Sequence, residues 1–85
     1  MKIGKIIILE VVEEHMLKHG ITSEDVENAL RLGNPIFSKD RNDRYLALTP
    51  SNKYLTIIFE YKNSDALIIT AYQSSDWQIR KYKRK

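Results

Sequence analysis

Tyr54-Leu55-Thr56-Ile57-Ile58-Phe59-Glu60-Tyr61 is followed by Lys62-Asn63-Ser64-Asp65 and then by Ala66-Leu67-Ile68-Ile69-Thr70-Ala71-Tyr72. The two outer stretches are rich in β-branched and aromatic residues, and the four residues between them are turn formers. This pattern predicts two strands joined by a short turn, and therefore antiparallel. In the first strand Leu55, Ile57 and Phe59 alternate with Tyr54, Thr56, Ile58 and Glu60. Alternation places the first set on one face of a sheet. Carried through the turn, it assigns Leu67, Ile69 and Ala71 to that apolar face and Ile68, Thr70 and Tyr72 to the other. The apolar face is expected to carry helices. The second face is amphipathic and suits solvent, a shallow groove or a partner.

Working outward, Ile36-Phe37-Ser38 reads as a short strand, Asp40-Arg41-Asn42-Asp43 as a turn, and residues 45–49 as another strand. Pro50-Ser51-Asn52 reads as a turn before the long strand. Downstream, Ser75 with Gln78 three residues later forms a capping box that opens a helix through about residue 83. Upstream, residues 2–9 are rich in isoleucine and predict a strand. Residues 10–19 predict a helix with Val12 and Met16 on one side and Gly20 as its stop. Thr22 and Asp25 form a second capping box, and Ile21 with Val26 forms the hydrophobic staple beside it. That helix carries Val26, Ala29 and Leu30 on one face and ends at Gly33 and Pro35. The expected fold is α+β. Two N-terminal helices pack on one face of a four- to five-stranded, mainly antiparallel sheet, and a short C-terminal helix follows. Residues 1–85 form a single domain with a basic tail at 83–85.

Composition narrows the chemistry. The chain has 85 residues, 42% apolar and 29% charged, which suits one globular domain. It has no cysteine, which removes disulfides, thiolate catalysis and cysteine zinc sites. His15 and His19 are its two histidines, four residues apart, but His-Met-Leu-Lys-His lacks the acidic residue of a metalloprotease helix. No metal or cofactor is expected. The longest apolar run, Ile6-Ile7-Ile8-Leu9, is too short to cross a membrane or form a signal-peptide core. A cytoplasmic protein without a membrane partner is expected. The net charge is +3, yet five of the last six residues are basic and the remainder carries a net −2. The basicity therefore belongs to the C-terminus, where it can attract phosphate or an acidic partner.

Several segments, taken in order, carry a resemblance to the BrnT toxin family. Lys18-His19-Gly20-Ile21-Thr22 with Glu24-Asp25-Val26 and Ala29 resembles its K-H-G-V-S…E-E-A segment. Asp43-Arg44-Tyr45 resembles its E-R-F/Y, and Tyr54-Leu55-Thr56-Ile57-Ile58-Phe59 its L-x-V-V-Y strand. Ile68-Ile69-Thr70-Ala71 resembles its R-I-I-S-A strand, and Tyr82 falls where its closing tyrosine stands. The chain has Tyr72 where that family has arginine, Gln78-Ile79 where it has Glu-Arg, and no early Trp-Asp. A second group of small, less characterised domains shares the His…Arg/Lys-x-Gly-Ile-Ser/Thr-x-Glu-x-Val pattern and a T-A-Y strand ending. Ile69-Thr70-Ala71-Tyr72 fits that group better.

The BrnT resemblance implies the wider RelE-like group. These are small toxins of type II toxin–antitoxin pairs, which cut mRNA without a metal. The implied partners are RNA, on the ribosome or free, and a small DNA-binding antitoxin of the ribbon-helix-helix type, with a homodimer as a further option. The alternative is a non-catalytic interaction module, or a decayed toxin of the same fold. Metal-free RNA cleavage needs a proton acceptor, a proton donor and cations around phosphorus. The resemblance implies His19, Arg44 and Tyr82 as catalytic residues, and Tyr72, which departs from the family, joins them as a candidate from its place on the amphipathic face. Lys18, Arg41, Lys53, Arg80, Lys81, Lys83 and Arg84 are the candidates for nucleic-acid contact. Each has a plainer reading beside it. Lys18 and His19 complement a helix C-terminus. Arg41 and Lys53 are solvated turn residues. Tyr82 has core spacing from Ile79, Trp77 anchors its helix, His15 packs partly buried, and Glu60 is an exposed carboxylate with the chemistry of a base.

Overall fold

A computed structural model describes residues 1–41, 43–50 and 54–84. Its elements are β1 (Ile6–Ile7), α1 (Glu10–Leu17), α2 (Ser23–Leu32), β2 (Ile36–Arg41), β3 (Arg44–Thr49), β4 (Leu55–Lys62), β5 (Asp65–Gln73) and α3 (Asp76–Lys83). One five-stranded sheet has the order β1-β5-β4-β3-β2. Strands β2 to β5 form the expected antiparallel meander. β1 joins the edge of β5 in parallel through Ile6 and Ile7 alone, so the N-terminal strand is shorter than the isoleucine run suggests. β2 runs further than expected, and Ser51 and Asn52 of the expected Pro50-Ser51-Asn52 turn lie outside the described residues.

Asn63 and Ser64 both have positive φ, 52° and 69°, between the paired residues Lys62 and Asp65. That is the geometry of a two-residue turn whose twist matches the strands it joins. From it the register runs Tyr61↔Ala66 and Phe59↔Ile68, then shifts to Ile58↔Thr70 and Ile57↔Ala71. Ile69 is the extra residue of a β-bulge. This corrects the face assignment in β5. Ala66, Ile68 and Ala71 lie in the core at 0%, 1% and 1% exposure, while Leu67 and Ile69 are half-buried. Alternation holds only while the ladder is unbroken, and one inserted residue reverses it.

The core forms between this face and the helices α1 and α2. Phe59 is fully buried at its centre, with Tyr45 stacked on it and Phe37 edge-on, both at 6.0 Å between ring centroids. Met16, Ile21, Val26, Ala29 and Leu30 close it from the helices. The second helix begins as its sequence requires. Thr22 Oγ1 accepts from the Asp25 N–H at 3.0 Å, and Asp25 Oδ2 accepts from the Thr22 N–H at 2.9 Å. The staple residues Ile21 and Val26 are both fully buried. Gly20, at φ 74°, turns the chain between the helices. Gly33 ends α2 so close to β3 that a Cβ would lie 2.4 Å from Thr49 Oγ1 and 2.6 Å from the Ala29 carbonyl oxygen. The N-terminal segment is tied down by hydrogen bonds to its main chain. The Gly4 N–H donates to the Ser64 carbonyl at 2.6 Å, and Arg31 Nη2 donates to the Gly4 carbonyl at 2.7 Å.

The C-terminal helix packs on the opposite face of the sheet. Gln78, 5% exposed, is its hub. Its Oε1 accepts from the Ser75 N–H at 2.9 Å, as the capping box predicts, and from the Thr56 hydroxyl at 3.1 Å. Its Nε2 donates to the Tyr72 hydroxyl oxygen at 3.3 Å. Thr56 is fully buried and also shares a hydrogen bond with Ser74 at 2.8 Å. The Tyr82 hydroxyl donates to the Asn34 carbonyl at 2.8 Å.

Two substitutions separate the two sides of the sheet. Phe59→Ala empties the aromatic centre and is expected to lower unfolding free energy by about 3–5 kcal/mol in a denaturant titration. Gln78→Ala leaves buried polar groups short of a partner and is expected to cost about 1–3 kcal/mol, with loss of α3 signal in far-UV circular dichroism. A Gln78→Ala protein as stable as the parent would show that α3 is held by apolar contact alone.

Candidate functional site

Register divides the face opposite α1 and α2 into rows. The first is Ile36, Leu48, Thr56 and Tyr72, the second Ser38, Leu46, Ile58 and Thr70. The third is Arg41, Arg44, Glu60 and Leu67. α3 covers the first row, where Leu48 and Thr56 are buried. The other two rows hold half-buried residues such as Leu46, Ile58, Thr70, Arg44 and Glu60. This part of the sheet is the amphipathic surface anticipated from alternation.

Its far end carries the densest charge. Arg41, Asp43, Arg44 and Glu60 line an open depression of about 310 Å³. Arg44 stands directly across the ladder from Glu60, and Arg41 is paired with Arg44. The Tyr61 N–H donates to the Asp43 carbonyl at 2.8 Å and fixes the corner. Among the described residues, no hydrogen bond or ion pair engages these four side chains; the one ion pair is Arg31–Glu27, within α2. Arg41, Arg44 and Glu60 are thus held on the strand ladder, with Asp43 in the connection beside them, and their charged groups are left available. A guanidinium binds phosphate in bidentate fashion, and a neighbouring carboxylate can take a proton.

The residues inferred from the sequence fall in separate places. Arg44 and Arg41 lie in this depression. Tyr72 is on the same face, four residues along and two strands across, roughly 16 Å away by strand geometry. Tyr82 belongs with it, since its ring meets Tyr54 at 6.2 Å and its hydroxyl is bonded to Asn34. Lys83 lies 5.8 Å over the Tyr54 ring. Both tyrosines therefore fasten α3. Lys18 and His19 are exposed in the turn after α1, on the helix-bearing side of the sheet. The four residues inferred as catalytic are not brought together. Lys53 lies outside the described residues.

Two side chains differ from their plainer readings. His15 is exposed and meets His19 edge-on at 5.1 Å, because Val12 and Met16 already occupy the inner side of α1. Trp77 is 59% exposed instead of anchoring its helix. The inner positions of α3 are Gln78, Ile79 and Tyr82, and Trp77 falls opposite them with Arg80, Lys81 and Arg84. These four line a depression of about 430 Å³. Glu60 gains weight from the structure. The sequence places it on the amphipathic face, but only the strand register sets it across from Arg44. Gln78, where the resembling family has glutamate, was not singled out as a functional residue and proves to be the polar hub under α3.

No helix among the described residues is long and apolar enough to cross a membrane. A search of curated proteins found no match to this chain. Among solved structures, the chain is similar to the Brucella abortus ribonuclease toxin BrnT, with a TM-score of 0.68 and 24% identity over 85% of this chain and 97% of that one. At that identity the likeness establishes the fold, which is the one the sequence resemblance implied. A family model described as a domain of unknown function (DUF4258) matches residues 8–73, from just after β1 to the end of β5, and leaves α3 outside. The match takes in most of the chain, and the protein belongs to the DUF4258 family.

Proposed function

We propose that this protein is a BrnT-type, RelE-like toxin of a type II toxin–antitoxin pair, a metal-independent endoribonuclease acting on mRNA in the cytoplasm. The observation that carries the reading is the Arg41–Arg44–Glu60 depression on the sheet of a fold shared with a ribonuclease toxin. In this reading Glu60 takes the proton of an RNA 2′-hydroxyl. The 2′-oxygen then attacks the adjacent phosphorus and the bond to the 5′-oxygen breaks. Arg44 and Arg41 balance the charge on the non-bridging oxygens. The open depression lets water protonate the leaving 5′-oxygen. The products are a 2′,3′-cyclic phosphate and a 5′-hydroxyl end. A small antitoxin of the ribbon-helix-helix type would neutralise it by covering this half-exposed surface.

A second reading has its own support. The Tyr72 and Tyr82 hydroxyls are committed to holding α3 and Asn34, and His19 lies on the other side of the sheet. A non-catalytic interaction module of the same fold would use its residues in this way.

Purified protein incubated with mRNA, with and without ribosomes, separates the two. Cleavage leaving cyclic phosphate ends is expected. Glu60→Gln should slow it by about 10²–10⁴-fold, the range for loss of a general base, at unchanged melting temperature. Arg44→Ala should slow it comparably, and His19→Ala should leave the rate within about threefold. RNA left intact by the parent protein in both settings would establish the non-catalytic module. Full activity in Glu60→Gln would remove the depression from the mechanism.

A further inference from the structure

Trp77, Arg80, Lys81 and Arg84 recur at the spacing of one helical face, and all four are exposed. They lie opposite Gln78, Ile79 and Tyr82, so they point away from the sheet that α3 covers. The stripe spans roughly 10 Å along the helix axis. Among the described residues, no carboxylate pairs with its three cations. Lys83, by contrast, is engaged over Tyr54. Trp77 and the three cations line the depression of about 430 Å³.

We propose that the outer face of α3 binds single-stranded RNA, with a base stacked on Trp77 and the flanking phosphates held by Arg80, Lys81 and Arg84. The choice of RNA rests on the ribonuclease reading above; the site itself lies apart from the Glu60 depression and outside the region matched by the family. Charge complementarity selects an anionic ligand. The open site with the exposed Trp77 selects a base over an acidic protein segment. An apolar anchor from a protein needs an enclosing pocket, whereas a nucleobase needs one exposed ring and tolerates any sequence. Two of the three cations are arginines, whose planar guanidinium matches phosphate.

The test uses a fluorescein-labelled 2′-O-methyl uridylate dodecamer. The 2′-hydroxyl is blocked, so the strand cannot be cut. The probe's anisotropy reports binding, and Trp77, the sole tryptophan, reports stacking through quenching of its emission. Three neutralised phosphates give a slope of log affinity against log salt of about −2, or about 20-fold weaker binding at 200 mM than at 50 mM salt. Each of Arg80→Gln, Lys81→Gln and Arg84→Gln should reduce that slope by about 0.7. Trp77→Ala should weaken binding at least tenfold without changing the slope. These side chains point outward, so melting temperature is expected to stay constant, and the single glutamine variants serve if the alanine variant does not fold.

Binding that is absent, or indifferent to these substitutions, overturns the proposal. So does tighter binding of a polyglutamate dodecamer, which would assign the stripe to an acidic protein. The probe has no free 2′-hydroxyl, so its binding is read independently of cleavage. RNA cleavage without probe binding therefore removes the stripe alone, and probe binding without cleavage removes the catalytic reading alone.

Discussion

The pairing of β5 with β4 is the constraint on which the rest depends. Asn63 and Ser64 set where the ladder starts, and Ile69 shifts it by one residue partway along. With that shift both Ile68 and Ala71 reach the core, although a strict alternation would send them to opposite faces. The same shift places Tyr72 across from Thr56 on the far face, where Gln78 meets both. One inserted residue thus completes the apolar core on one side and the seat of α3 on the other. β-Bulges commonly serve in this way, redirecting side chains at the cost of one unpaired residue.

The two faces are held by different physics. On the helix-bearing side, aromatic and aliphatic burial around Phe59 dominates and has no fine directional requirement. On the other side a short helix of low apolar content is fixed by hydrogen bonds from one buried glutamine. Such a network is directional and sets where α3 lies, which in turn decides how much of the sheet remains open. The charged depression at Arg41, Arg44 and Glu60 is left uncovered because α3 reaches only the opposite end of that face. It also lies at the corner between β2 and β3, where the two arginines are paired across the strands.

Much of the fold was legible from local signals. The Thr22/Asp25 box, the Ile21/Val26 staple and the Gly20 break located both N-terminal helices, because capping involves residues three to five apart. Asn63-Ser64 announced the hairpin for the same reason. β1 was misjudged in length because strand pairing depends on a partner some sixty residues away, which apolar composition does not reveal. The candidate site was legible only in its parts. Arg44 and Glu60 were each visible, but sixteen positions separate them in sequence, and their juxtaposition follows from register. The tyrosines looked available for RNA until the structure gave their hydroxyls to Gln78 and Asn34.

The sequence by itself determined the element order, the antiparallel meander, the helix boundaries and the concentration of positive charge at the C-terminus. These are set by turn chemistry, capping and period, all interactions between near neighbours. Tertiary structure alone decided which face Ile68 joins, which side of the sheet α3 occupies, that Trp77 faces outward, and that Glu60 stands across the ladder from Arg44. Those outcomes depend on a bulge and on contacts between distant strands, where a shift of one residue reverses every side chain that follows.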